Sequence, residues 1–78
     1  MKEFLEFVIK RLVDYPDQVV IHEADGGRTT CFKLQMNPGD VGKVIGRHGQ
    51  TIQALRGLVM ASASRNDRKA QLEIIEPE

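Results

Sequence analysis

Seventy-eight residues are enough for one small domain with one compact core, because a chain of this length buries only about 60% of its unfolded surface. Apolar residues make up 41% and charged residues 28%, ordinary for a soluble globular protein, and no apolar run approaches the roughly 18 residues of a membrane span. Eleven basic residues balance eleven acidic ones, Glu3 and Glu6 interrupt what a secretory signal would need to be apolar, and the lone Cys31 excludes an internal disulfide, so the expected setting is cytoplasmic, with no metal or other cofactor.

Residues 2–14 read as an amphipathic helix: Leu5, Val8, Ile9 and Leu12 recur at helical spacing, with Lys2, Glu6, Lys10 and Arg11 to the other side. Tyr15-Pro16-Asp17 ends it, because proline disfavours helical backbone in the residue before it. Residues 18–24 are short and rich in β-branched side chains, a strand, and Asp25-Gly26-Gly27 supplies the positive-φ residues of a tight turn. Residues 29–36 then alternate, with Thr30, Phe32, Leu34 and Met36 on one face and Cys31, Lys33 and Gln35 on the other, so the two strands make a hairpin. Asn37-Pro38-Gly39 breaks the pattern, and Asp40 is placed to N-cap a short helix that runs to Ile45 and stops at Gly46. Gly49 opens a longer helix to about Ser64. Residues 69–76 form a closing strand in which Ala70, Leu72 and Ile74 alternate with Gln71, Glu73 and Ile75. The order α-β-β-α-α-β predicts an α+β fold, a three-stranded sheet with helices packed on one face, in a single domain over residues 1–78.

Charge is balanced overall but not along the chain. Residues 41–69 hold Lys43, Arg47, Arg56, Arg65, Arg68 and Lys69 against the single acid Asp67, and the remainder carries the compensating negative excess. Such an asymmetry gives a neutral protein a basic face suited to a polyanion; two solvated surfaces with no partner would look the same in sequence.

The segment Asp40-Val41-Gly42-Lys43-Val44-Ile45-Gly46-Arg47-His48-Gly49-Gln50-Thr51-Ile52 carries the chemistry. Two predicted helices are joined by a loop with glycine at each end and Arg47 and His48 between. The glycines let the backbone turn sharply and leave no Cβ in the path of an approaching phosphate. The second helix points its unpaired N–H groups and positive dipole end toward the loop, and Arg47 adds forked donors that suit phosphate oxygens. A P-loop is excluded because Gly42-Lys43-Val44 lacks both the upstream glycine and the Ser or Thr after lysine. A dinucleotide fingerprint fails because Val44 stands where a glycine is needed. A glycine-punctuated turn between helices, with incidental basic residues, is the plain structural alternative.

With Val44 and Ile45 before Gly-x-x-Gly and Ile52 after it, the segment resembles the KH-domain signature, and the element order resembles the type II, bacterial form of that fold. The whole chain is similar to the KhpA-like family of short stand-alone bacterial KH proteins. That resemblance implies that the loop Gly46, Arg47, His48 and Gly49 clamps about four nucleotides of single-stranded RNA, or of single-stranded DNA. It places bases over an apolar groove assigned to Val41, Val44 and Ile45, with Lys43 beside them. It further implies an RNA-chaperone-like role in post-transcriptional control that touches cell division or cell shape. Self-association, and pairing with a larger Jag-like KH protein, belong to the same expectation.

Outside the loop, His22 and Cys31 read as ordinary strand residues, and Glu73 and Glu76 as solvated acids. On the long helix Ile52, Leu55, Val59 and Ala63 form the inward stripe. The opposite side bears Ala54, Gly57, Met60 and Ala61 and is weakly charged, with small residues at i, i+3 and i+7 that admit a close neighbour, so it is the candidate homodimer face. A second reading of the chain is therefore a protein-interaction module whose working surface is this helix and whose Gly-x-x-Gly loop is vestigial. No paired carboxylates, nucleophile–base pair or metal spacing supports an enzyme.

Overall fold

In the computed structural model, which describes residues 1–75, α1 (Lys2–Leu12) leads through a 3-10 turn at Pro16–Gln18 into β1 (Val20–Gly26) and β2 (Thr29–Gln35). A second 3-10 turn, Pro38–Asp40, precedes α2 (Val41–Ile45). The loop 46–49 follows, then α3 (Gln50–Ser64) and β3 (Lys69–Ile74). The order α-β-β-α-α-β is the one expected from the sequence, and the fold is α+β. The expected strand residue Glu76 lies outside the described residues.

Alternation decides which sheet face is covered. In β2 the side chains of Thr30, Phe32 and Leu34 are buried, and in β3 those of Ala70 and Leu72, while Lys33, Gln35, Gln71 and Glu73 face solvent. The strand order is β1-β2-β3, with β1 antiparallel and β3 parallel to the central β2. A parallel pair cannot be closed by a tight turn and needs a crossover, which α2 and α3 supply. Leu5 and Ile9 of α1, Val44 of α2 and Ile52, Leu55 and Val59 of α3 complete the core with the inward residues of the sheet. Each large side chain so buried contributes about 1.5–3 kcal/mol by leaving water.

The differences from the sequence reading fall at element ends. Helix α1 stops at Leu12 because Val13 is already extended (φ −104°, ψ 160°), and Val13 turns into the core while Leu12 stays 36% exposed. Strand β1 begins two residues later than expected because Pro16–Gln18 forms its own turn. It runs on through Gly26, which pairs with Thr29, so the hairpin loop is only Gly27-Arg28. Gly27 has φ +67° at the first loop position, the requirement of a type II′ hairpin. Phe4 and Phe7 of α1 face outward, with the Arg11 guanidinium 4.3 Å above the Phe7 ring.

Candidate functional site

The loop between α2 and α3 is built from backbone conformations that most residues avoid. Gly46 ends α2 with φ +77°, ψ 176°, a combination open essentially to glycine alone, and its N–H donates to Gly42 O at 3.0 Å. Thr51 sits so close that a Cβ on Gly46 would meet its hydroxyl and its Cβ at clashing distances. Gly49 is left-handed (φ +73°, ψ 14°) but faces open space. Between them His48 is also left-handed (φ 56°, ψ 25°), a conformation that costs a residue with a Cβ on the order of 1–2 kcal/mol. Arg47 and His48 are exposed, and neither meets a carboxylate among the described residues.

Beneath α2 lies a clasp that sequence reading did not find. Asp40, expected to cap α2, makes no capping bond to it. Its side chain is 1% exposed and accepts instead from the backbone N–H groups of Asp14 and Tyr15, each at 3.1 Å. Lys43 reaches Asp14 at 3.1 Å and Asp40 at 3.5 Å. The end of α1 is thereby pinned to the start of α2, and the donors that Asp40 satisfies belong to the segment leaving α1. Burial by itself would push the Asp40 carboxyl up; the two N–H bonds and the Lys43 ammonium outweigh it and hold the group below its ordinary 3.8. The hydrogen bond and charge of Asp14 raise Lys43 above its ordinary 10.5, partly offset by desolvation and reinforced by Asp40.

The pH consequence has a definite sign. A carboxyl depressed in the folded state stabilises it above 3.8 and loses that contribution as pH falls through the folded value. Lys43, being raised, contributes below 10.5 and loses its share only at higher pH. Asp40→Asn should therefore lower the melting temperature at pH 7 by roughly 5 °C or more, since the amide keeps one acceptor but loses the ion pair. Melts repeated at pH 3 should show the gap between variant and wild type narrowed. An equal gap at both pH values would contradict the clasp.

Two of the expected ligand contacts change character in this setting. Val44 is fully buried (0% exposed) in the core and offers no surface to a base, so the proposed apolar groove of Val41, Val44 and Ile45 is reduced to the half-buried Val41 and Ile45. Lys43 is compensated by Asp14 and Asp40, and Arg68 is likewise taken by Asp25 at 2.8 Å. The charge excess seen along 41–69 is thus partly spent inside the fold.

The larger recess lies elsewhere, a groove of about 760 Å³ between α3 and the outer edge of β3. Its walls include Met60, Ala70 and Leu72, and Arg56 stands within it. Lys69 N–H and Ile75 N–H bond to β2-side carbonyls, so the alternate residues Ala70, Leu72 and Ile74 turn their backbone groups outward to this groove. Arg56 Nε donates to one of them, Leu72 O, at 3.1 Å. The signal for Arg56 in sequence was only its place on the flank of the inward stripe. The same groove takes Met60 as a lining residue, whereas Ala54, Gly57 and Ala61 are exposed on the helix face away from the buried stripe of Ile52, Leu55 and Val59. No helix among the described residues is long and apolar enough to cross a membrane.

Compared with known families, residues 2–74 match the one described as KhpA/KhpB, KH domain. The chain belongs to that family. The KhpA-like resemblance drawn from the glycine loop and its flanking apolar residues is borne out, and the family is one of RNA-binding domains, not of enzymes. A Chlamydia trachomatis protein named RNA-binding protein KhpA is 46% identical over 76 residues, which cover 97% of each chain. Proteins of the same name from Halalkalibacterium halodurans and Borreliella burgdorferi are 42% and 40% identical, covering 97% and 95% of this chain and 100% and 90% of their own. No solved structure matches the chain.

Proposed function

We propose that this KhpA-family domain binds single-stranded RNA by its sugar-phosphate backbone at the Gly46-Arg47-His48-Gly49 loop, with low sequence selectivity. The observation that carries the reading is the loop itself. Two uncompensated side chains able to donate to phosphate, Arg47 and His48, are held outward by a backbone that only glycine can make at Gly46. The start of α3 adds N–H groups with no helical partner, and relatives over nearly the full length are named RNA-binding proteins. Single-stranded DNA shares the phosphodiester backbone and is a second ligand of the same loop.

In the cytoplasm such a domain acts as an RNA chaperone in post-transcriptional control, with effects reaching cell shape. It works as a homodimer through the Ala54, Gly57, Met60 and Ala61 face of α3, and pairs with a larger Jag-like KH protein. A second reading, an interaction module with an idle loop, draws on the exposed Leu58 and Met60 of α3. The variant Arg47→Asp/His48→Asp separates the two. It places two acids where phosphates would lie, on a surface loop where substitutions cost little stability. A gel-shift titration with single-stranded RNA, beside a thermal melt, should show RNA binding lost and the fold kept. Unchanged affinity in a folded variant would transfer the function to the helix.

A further inference from the structure

We propose that the outer face of α1, centred on Phe7, is the second half of the self-association surface and packs antiparallel against α1 of a second copy of this chain, beside the α3 contact. It rests on the homodimer reading above and adds to it residues, a direction and a register.

The fold makes no use of two of its three phenylalanines. Phe32 is in the core, whereas Phe4 is 43% and Phe7 58% exposed on a helix that already buries Leu5 and Ile9. At about 100° per residue, Phe7 stands about 160° from both Leu5 and Ile9, so it points away from the core. One exposed apolar side chain is ordinary, but these two lie a turn apart, and the Arg11 guanidinium holds the Phe7 ring from 4.3 Å.

This face adjoins the α3 face. Met1 lines a small recess with Val59, Ser62 and Ala63, while the end of α1 is pinned to the start of α2, so α1 and α3 run in opposite directions. Phe7 is about 9 Å along from Met1, and Gly57 about 9 Å back from Ala63, which brings the midpoints of the two helices level. Leu58, exposed and one turn before Ser62, stands on the α1 side of α3 and joins the two faces. Area calls for both helices. A strip along α3 about 22 Å long and 10 Å wide covers a few hundred Å², mostly of Ala and Gly, against about 800 Å² per partner in a stable dimer.

Charge decides what covers α1. The helix is acidic in its first turn, at Glu3, and basic in its last, at Lys10 and Arg11, and none of the three forms an ion pair among the described residues. Glu3 and Arg11 lie about 6 Å before and after Phe7, and Phe4 and Lys10 about 4.5 Å before and after it. By the same helical angle Glu3 and Lys10 share one flank of Phe7, and Phe4 and Arg11 share the other. A two-fold axis across the helix at Phe7 reverses direction and sets each flank on its own copy. Glu3 then meets Lys10 of the second copy, Arg11 meets the ring of Phe4, and Phe7 meets Phe7. A parallel pair would instead set Glu3 on Glu3 and Lys10 on Lys10, and Glu3 and Glu6 disfavour a polyanion on this face.

The test is sedimentation velocity over a wide range of protein concentration, on wild type, Phe7→Glu, Glu3→Lys, Lys10→Glu and the double variant Glu3→Lys/Lys10→Glu. All three positions are outside the core, and circular dichroism confirms that each protein is folded. Phe7→Glu should raise the dimer dissociation constant about 100-fold, as loss of a central aromatic anchor does. Each single charge reversal should raise it about tenfold, and the double variant, which restores opposite charges across the axis, should return to within about threefold of wild type. A Phe7→Glu protein that dimerises like wild type overturns the α1 half and leaves α3 alone as the interface. A double variant as weak as the sum of its parts overturns the antiparallel register. Loss of affinity for single-stranded RNA in Phe7→Glu, measured where wild type is monomeric, assigns the aromatic face to bases and overturns the pairing. A wild type that stays monomeric throughout defeats the homodimer reading itself, and this inference with it.

Discussion

Gly46→Ala should leave the domain largely unfolded at 37 °C, and should do so far more severely than the corresponding change at Gly49. Two separate costs coincide at Gly46. Its φ of +77° with ψ of 176° is strained for any residue bearing a Cβ, and the new methyl would collide with the Cβ and hydroxyl of Thr51. Strain of this kind costs about 1–3 kcal/mol, and overpacking against a helix that cannot retreat costs about as much again. A domain of this length has roughly 4–12 kcal/mol of stability to lose. Each kcal/mol corresponds to about 4–8 °C of melting temperature at this size, so a fall of about 15 °C or more is expected. Gly49 has a similar φ, +73°, but nothing lies within contact distance of a Cβ there, and its neighbour His48 already carries a side chain in the left-handed region. Gly49→Ala should therefore cost only about 1–2 kcal/mol. Melts of the two variants, and of Gly46→Ala combined with Thr51→Gly, check the assignment. If the collision is real, the second substitution recovers part of the loss, whereas two independent sites would simply add. Equal effects at the two glycines would mean that the loop geometry is wrong.

That inequality between the glycines shows where sequence reading reached and where it stopped. Periodicity was sufficient for the sheet, because one face of β2 is buried and a slip of one residue would turn Phe32 and Leu34 to solvent. The glycine spacing located the loop because backbone of positive φ leaves a composition signature. Nothing local could pair Asp14 and Tyr15 with Asp40, some twenty-five positions away. Read alone, an acid before a helix is a cap; only the tertiary fold brings a competing pair of N–H donors to it. Val44 failed as a ligand contact for a related reason. On a five-residue helix the inward and outward apolar positions cannot be told apart by period, and burial against the core took Val44 while leaving Val41 and Ile45 at the margin. Counting charge along 41–69 could not reveal that Lys43 and Arg68 are spent on acids from the first forty residues.

Ala61→Asp should convert the proposed homodimer to a monomer without unfolding it. Ala54, Gly57 and Ala61 are exposed on α3, away from the buried Ile52, Leu55 and Val59, and their small side chains let a second helix approach closely. In a two-fold interface the same residues meet their own copies, so an introduced acid faces its twin. Like-charge repulsion then adds to the cost of removing two carboxylates from water, and the dimer dissociation constant should rise at least about 100-fold, close to 3 kcal/mol. Met60 is a poorer probe because it lines the α3–β3 groove, where an acid would also disturb the recess beside Arg56. Ala61 lies outside that lining, so affinity for a four-nucleotide RNA should be nearly unchanged in the monomer. Light scattering reads the mass and circular dichroism the fold. Loss of helix signal would place Ala61 in the core instead of on the surface. A folded variant at the wild-type dimer mass would move the interface off this face, with the apolar flank of α1 around Phe4 and Phe7 as the next surface to substitute.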